Sequence, residues 1–199
     1  MPSRNLFIDI EGLDGSGSST QASLLSEYLN QKSLKTIATK EPTDNVIGGL
    51  IRGTLTGTIS DMPPTALQLL FVADRLHHLH KFILPALEVS NVITDRYLWS
   101  TVAFGGISID RDWLLDIQKD VQLPDLTFFI KLDPEECVKR IHKNRFDIEL
   151  FEKVDKLTKA WENYLWLKEK FPEKIFIIDG HQEKQKVLED IVKVLENYT

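Results

Sequence analysis

Cysteine is almost absent from this chain: Cys137 is the only one in 199 residues. No internal disulfide can form, which fits a reducing compartment. Cys137 follows Pro134-Glu135-Glu136 in a helical pattern with nothing beside it to make a nucleophile site, so it reads as a buried structural thiol. Long apolar runs are missing too, and none approaches the roughly 20 residues needed to span a bilayer. The opening Met1-Pro2-Ser3-Arg4-Asn5 lacks the apolar core and cleavage site of a signal peptide. The expectation is a soluble, cytoplasmic protein with no membrane partner. Basic residues are outnumbered, 24 Lys and Arg against 30 Asp and Glu, for a net charge of −6. That balance argues against a nucleic-acid partner, which usually leaves a basic footprint, but it leaves room for a small local basic pocket. Internal repeats, low-complexity tracts and linkers are also lacking. What is present is a hydrophobic content of 42%, enough for one substantial core and a single domain.

Five short apolar runs read as buried strands: 6–11, 36–40, 92–95, 126–132 and 175–179. Helical patterns lie between them, at 19–30, 65–89, 134–142, about 149–170 and 184–198. Pro64 and Pro134 are well placed at helix starts. Pro85 falls inside the long pattern and predicts a kink or break near Phe82. Strands alternating with helices imply an α/β fold, a five-stranded parallel sheet covered on both faces. Ligands of such sheets bind at the carboxyl ends of the strands. Glu11, Lys40-Glu41, Asp95-Arg96 and Asp179-Gly180 all sit at those ends.

The stretch "FIDIEGLDGSGSSTQ" ends the first strand and opens the first helix. It has the layout of a phosphate-binding P-loop, G-x-x-x-x-G-K-[ST]. Gly12 and Gly17 have the required spacing, and Ser19 stands where the metal-binding hydroxyl belongs. Backbone N–H groups over Gly12, Leu13, Asp14, Gly15, Ser16, Gly17, Ser18, Ser19 and Thr20 can cradle phosphates, helped by the positive helix end. Neither contribution needs a lysine. Position 18, however, is serine where the motif has its lysine, the group that bridges the β- and γ-phosphates during transfer. Three readings follow: a substitution made to trap a complex, a cation supplied from elsewhere, or nucleotide binding without efficient catalysis.

Other clusters carry two readings each. In "LQLLFVADRLHH" Phe71 and Arg75 are four apart on one helix face. They form either a base-stacking and base-bonding pair or a core Phe with a surface ion-paired Arg. In "VITDRYLWSTVAFGG" the strand-terminal Asp95 suits Mg²⁺ and Arg96 suits a phosphate; a structural salt bridge is the plain alternative. "KRIHKNRFD" packs Lys139, Arg140, Lys143 and Arg145 together, either as a lid over phosphates or as a solvated face. His77, His78 and His80 share a helix without a matched second ligand cluster, so they read as surface or packing residues.

Five segments in order resemble the thymidylate kinase family: "FIDIEGLDGSGSSTQ", "TKEPT" for T-R-E-P-G, "LLFVADR", "DRYLWSTVAFGG" and "PDLTFFIKLDPE". The resemblance covers roughly residues 5 to 180. It implies a P-loop nucleotide-kinase fold with a lid at about 140–149, ATP as phosphoryl donor, Mg²⁺, dTMP as acceptor and a homodimer. By the resemblance, Asp14 bonds the 3′-hydroxyl, Phe71 stacks on thymine, Arg75 reaches a thymine carbonyl and Arg96 holds the dTMP phosphate. Arg52, in a helix after the E-P segment, assists, and Glu41 and Ser100 join the same site. Phe104 lies against the sugar's 2′ side, and Ser19 and Asp95 arrange the metal. Departures are Ser18 for lysine, Lys40 for arginine, Thr43 for glycine and Gly105 where many members have glutamine. Family members without an arginine in the P-loop tend to carry catalytic cations in the lid, which here points to Arg140, Lys143 and Arg145. The alternatives are a kinase for another nucleotide or deoxynucleoside, and a nucleotide-binding protein with little turnover. Asp179-Gly180 is the expected adenine loop.

Overall fold

A computed structural model describes residues 4–144, 150 and 153–198. Five strands form one parallel sheet in the order β2-β3-β1-β4-β5. They are β1 (Phe7–Gly12), β2 (Thr36–Lys40), β3 (Asn91–Asp95), β4 (Leu126–Lys131) and β5 (Ile175–Asp179). Near-continuous apolar runs suit strands covered on both faces, and all six residues of β1 are buried.

Helices cover both faces. On one side α1 (Ser18–Gln31) and α9 (Lys184–Tyr198) pack Leu25, Leu29, Leu188 and Ile191 against Ile8, Ile10 and Phe128. On the other side lie α3 (Pro64–His78), α4 (Leu84–Leu87), α5 (Leu98–Gly105), α6 (Arg111–Asp116) and α8 (Val154–Lys170). Their core includes Leu79, Val102, Leu114 and Tyr164 against Phe7 and Phe129. Two further helices, α2 (Val46–Leu55) and α7 (Pro134–Asn144), follow β2 and β4. Because β3 and β4 flank β1 on opposite sides, the chain's direction of winding reverses there. That opens a crevice at the carboxyl end of β1, the usual ligand position in such sheets.

The break expected near Phe82 is a π-helical segment, Leu79–Ile83, with the Leu84 N–H reaching back to the Leu79 carbonyl. Pro85 has no N–H to donate, and its ring would press on the carbonyl four residues earlier; a wider turn accommodates both. Three helices, α2, α5 and α6, had no counterpart in the apolar pattern. Seven of the eight α5 residues are buried, so that helix carries no polar stripe to betray its period. The glycine-containing α2 instead starts on Asn45, whose side chain accepts from the Gly48 N–H at 3.0 Å. The helix expected from Glu149 is described from Val154, and Glu149 lies outside the described residues.

Candidate active site

The loop between β1 and α1 needs glycine where the backbone turns left-handed, at Gly15 (φ 85°) and Gly17 (φ 98°). A Cβ on Gly15 would also lie 2.6 Å from the Cys137 carbonyl oxygen, so α7 packs directly on the loop. Gly17 caps α1 with no side-chain acceptor, and the first turn holds no acidic residue. The first N–H groups of a helix lack intrahelical partners. Here they are left for an anion, with the positive end of the helix behind them. Cys137 is fully buried, and burial pushes its thiol up to about 12. It stays protonated, as a packing residue should.

The serine at position 18 bonds to the end of β3. Its Oγ donates to Asp95 Oδ1 at 3.2 Å, and the residue is buried. The Ser19 hydroxyl donates to the other oxygen, Oδ2. Asp95 thus gathers the Ser18 and Ser19 hydroxyls, from the start of α1, at the end of β3. This oxygen set fits Mg²⁺, which takes one or two protein oxygens and completes its shell with phosphates and water. Among the described residues no group of three or more His, Cys, Asp or Glu forms a closed metal cage.

Arg96 follows with φ 68°, a left-handed conformation uncommon outside glycine. Such strain clusters where structure holds a side chain for function. Its guanidinium donates to Asp14 Oδ1 at 2.7 Å and Ser100 Oγ at 3.0 Å, and stands 5.2 Å from the Phe104 ring centre. Burial alone would lower its pKa, but Asp14, Glu11 and Asp95 outweigh that and raise it. Arg96 is therefore a permanent cation. Beneath it Glu11 accepts from the backbone N–H of Tyr97 (2.9 Å) and Ser100 (3.0 Å), and from the hydroxyls of Ser100 and Tyr164 (2.8 Å).

Asp95 and Arg96 border a cavity of about 270 Å³ at the strand ends, and Glu11 and Tyr164 lie beneath it. Of the residues the sequence assigned to a nucleotide acceptor, Asp14, Glu41, Arg52 and Phe71 line it, as do Arg96, Ser100 and Phe104. Arg75 does not. It is 1% exposed, with Nε on Glu41 Oε2 at 2.9 Å, one amino group on Thr101 Oγ1 (2.9 Å) and on Gln118, and the other on the Tyr97 carbonyl (2.7 Å). The reading of Arg75 as half of a surface pair fails on this burial: it is an internal strut behind the cavity wall. Arg52 anchors the turn after β2 by donating to the carbonyls of Pro42 (3.1 Å) and Thr43 (2.6 Å). Thr43 is held by Asp74 through both its N–H (2.7 Å) and its hydroxyl (2.6 Å).

The basic cluster is only partly described. Arg140 lies on α7 with Nε 3.4 Å from Glu136 Oε1, and Lys143 is exposed near the helix end. Arg145 lies outside the described residues. Among the histidines, His78 is buried between Thr39 (2.8 Å) and Glu41 (3.1 Å), a packing role, whereas His77 and His80 are exposed. Asp179, at the end of β5, bonds His181 at 2.8 Å, and His181 reaches Asp133 at 3.1 Å. Sequence reading missed Gln68, Thr101 and Tyr164. The first two line the cavity and Tyr164 lies under it. All three sit on helical faces that also carry core residues, so spacing alone does not set them apart.

No helix among the described residues is long and apolar enough to cross a membrane. The sequence matches the family model described as thymidylate kinase over residues 10–191. It is 40% identical to a probable thymidylate kinase of Thermococcus onnurineus, covering 96% of this chain and 98% of that protein. It is 33% identical to a probable thymidylate kinase of Methanocaldococcus jannaschii, covering 97% of each. A thymidylate kinase of Thermoanaerobacter sp. is 32% identical over 96% of this chain and 98% of its own. With a P-loop, a strand-end cavity and these full-length likenesses, the chain belongs to the thymidylate kinase family.

Proposed function

We propose that this chain transfers the γ-phosphoryl group of Mg·ATP to dTMP, giving dTDP and ADP on the route to dTTP. Residues 1–199 act as one P-loop kinase domain with a lid at about 140–149, in the cytoplasm and as a homodimer. The observation that carries this reading is the cavity itself. It joins a half-buried aromatic, Phe71, to an ion-paired Arg96 within reach of the phosphate loop.

The thymine ring stacks on Phe71, and Phe104 closes the sugar's 2′ side. Asp14 takes the 3′-hydroxyl. Arg96 holds the acceptor phosphate, with Arg52, Glu41 and Ser100 around it. The donor phosphates lie on the N–H groups of residues 12–20. Mg²⁺ at Ser19 and Asp95 supplies charge neutralisation on the phosphates when bound. A dTMP phosphate oxygen attacks the γ-phosphorus in line, and the bond to the β–γ bridging oxygen breaks, leaving ADP. No covalent protein intermediate is needed, since catalysis here is positioning and charge stabilisation. Arg140, Lys143 and Arg145 supply the cationic charge that Ser18 lacks.

One observation favours a second reading, nucleotide binding with negligible turnover: Ser18 is neutral and tied to Asp95. dTDP formation by the unaltered chain and by Ser18→Lys separates the two. Loss of one uncompensated stabilising charge costs about two to three orders of magnitude in rate. The unaltered chain is therefore expected within about tenfold of the lysine variant if the lid compensates. A dead unaltered chain beside an active Ser18→Lys establishes the binding protein instead. Unchanged turnover in both Arg140→Ala and Arg145→Ala would remove the lid from the account. Competition among dTMP, dUMP, UMP and thymidine fixes the acceptor.

A further inference from the structure

Gln68 stands one helical turn before Phe71 on α3, so the two share a helix face and both line the cavity. It is 2% exposed, and its side-chain oxygen Oε1 is buried without a hydrogen-bond partner. Among the described residues with such an orphaned side-chain atom, which are Asp9, Ser16, Gln21, Gln68 and Tyr97, Gln68 alone borders this cavity. A buried amide left unpaired is unfavourable, and an explanation by a missing ligand is natural at a site that opens on a pocket.

A second observation concerns α5, which packs against Gln68. Residue 105 is glycine, and a Cβ built there would lie 2.9 Å from Gln68 Cδ and 3.0 Å from its Cγ. Gln68 fills the space that a side chain on α5 would need. The terminal amide torsion of glutamine is broad and roughly two-fold, so the group can turn its oxygen or its NH₂ toward the cavity without moving its stem. Thr101, the other uncharged polar side chain of this wall besides Ser100, already accepts from Arg75.

We propose that the Gln68 side-chain amide reads the base of the acceptor nucleotide, pairing with the imide edge of a pyrimidine-2,4-dione. This rests on the proposed dTMP kinase reading and names the base-recognising residue within it. A pyrimidine-2,4-dione presents an N3–H donor beside carbonyl acceptors. An amide presents an oxygen acceptor beside N–H donors. Phe71 fixes the plane of the ring by stacking, and Gln68 fixes its edge. Gln68 binds base and touches no reacting atom, so its loss acts on affinity more than on the chemical step.

The test is a cycle between residue and ligand. Binding of dTMP and of N3-methyl-dTMP is measured by calorimetry for the unaltered chain, Gln68→Met and Gly105→Ala. The methylated probe lacks the donor and needs no altered protein. The unaltered chain should bind it about 10- to 100-fold more weakly than dTMP. Gln68→Met should bind dTMP weakly by a similar factor and discriminate between the two ligands by less than about threefold. Gly105→Ala, which crowds the amide without removing it, should raise the dTMP KM with kcat changed by less than about threefold. If Gln68→Met still discriminates as the unaltered chain does, Gln68 does not read N3 and the assignment falls alone. If the unaltered chain neither binds nor phosphorylates dTMP, the assignment falls together with the functional reading. A loss of kcat with unchanged KM in Gln68→Met would also overturn it.

Discussion

The two faces of β1 are built differently, although every residue of the strand is buried. Ile8 and Ile10 point one way, into a layer of aliphatic and aromatic side chains from α1, α9 and the neighbouring strands. Phe7, Asp9 and Glu11 alternate to the other face, where the core contains Tyr97, Trp99 and Tyr164. On that face carboxylates lie deep in the protein and are bonded by polar side chains: Glu11 by the hydroxyls of Ser100 and Tyr164, Glu41 by Arg75 and His78. The apolar face fixes where the sheet and α1 stand, and so where the phosphate loop begins. The polar face fixes the cavity wall. The candidate site lies on the side that buries charge.

The first way to break this comparison is to empty the polar face of one charge. Arg75→Met keeps volume but leaves Glu41 buried beside only His78, and strips a donor from the Tyr97 carbonyl, Thr101 and Gln118. Removing one partner of a buried ion pair costs about 3–5 kcal/mol. Urea denaturation should show a loss in that range. A loss below about 1 kcal/mol would mean that the pair contributes no more than an exposed one, and that the polar face is not the strained side.

That contrast also explains what the sequence allowed. All five strands stand out as apolar runs, and two of them, 36–40 and 175–179, match the structure end to end. The strand-end positions of the 12–20 loop, Asp95 and Arg96 were legible because a parallel sheet gathers its loops at the carboxyl edge. Arg75 was not legible as a strut, since a spacing of four from Phe71 places both on a similar helix face but says nothing of depth. Phe71 opens on the cavity while Arg75 passes behind it. Gln68 and Tyr164 were invisible for the same reason. Burial of a polar group is decided by partners brought from other elements, and in a single strip of sequence those partners are far away.

A smaller effect, of opposite sign, is expected at Asp9. Its Oδ1 accepts from Thr94 at 3.2 Å, but Oδ2 is buried without a partner. Burial, then the nearby Glu11, raises its pKa well above the usual carboxylate range. The folded protein therefore holds this proton more tightly than the unfolded chain does. Its favourable contribution is complete below the unfolded value of about 3.9 and is lost as pH rises toward the folded value. Asp9→Asn removes that titration at nearly constant volume. At pH 8 the variant should be more stable than the unaltered chain by about 1–3 kcal/mol, and the gap should narrow at pH 5. An equal gap at both values would show that the carboxyl proton is not what separates them.

The smallest change falls on the apolar face and sharpens the comparison by its blandness. Ile8 is fully buried against the α1 and α9 layer. Ile8→Val deletes one methylene there, for a loss of about 0.5–1.5 kcal/mol. The cluster around Ile8 is built of aliphatic and aromatic side chains, so the loss should be the same at pH 5 and pH 8, and dTMP affinity should not move. A shift in affinity would mean that the position of α1, and with it the phosphate loop, responds to packing one methylene deep. The two faces would then be one mechanical unit rather than a scaffold and a site.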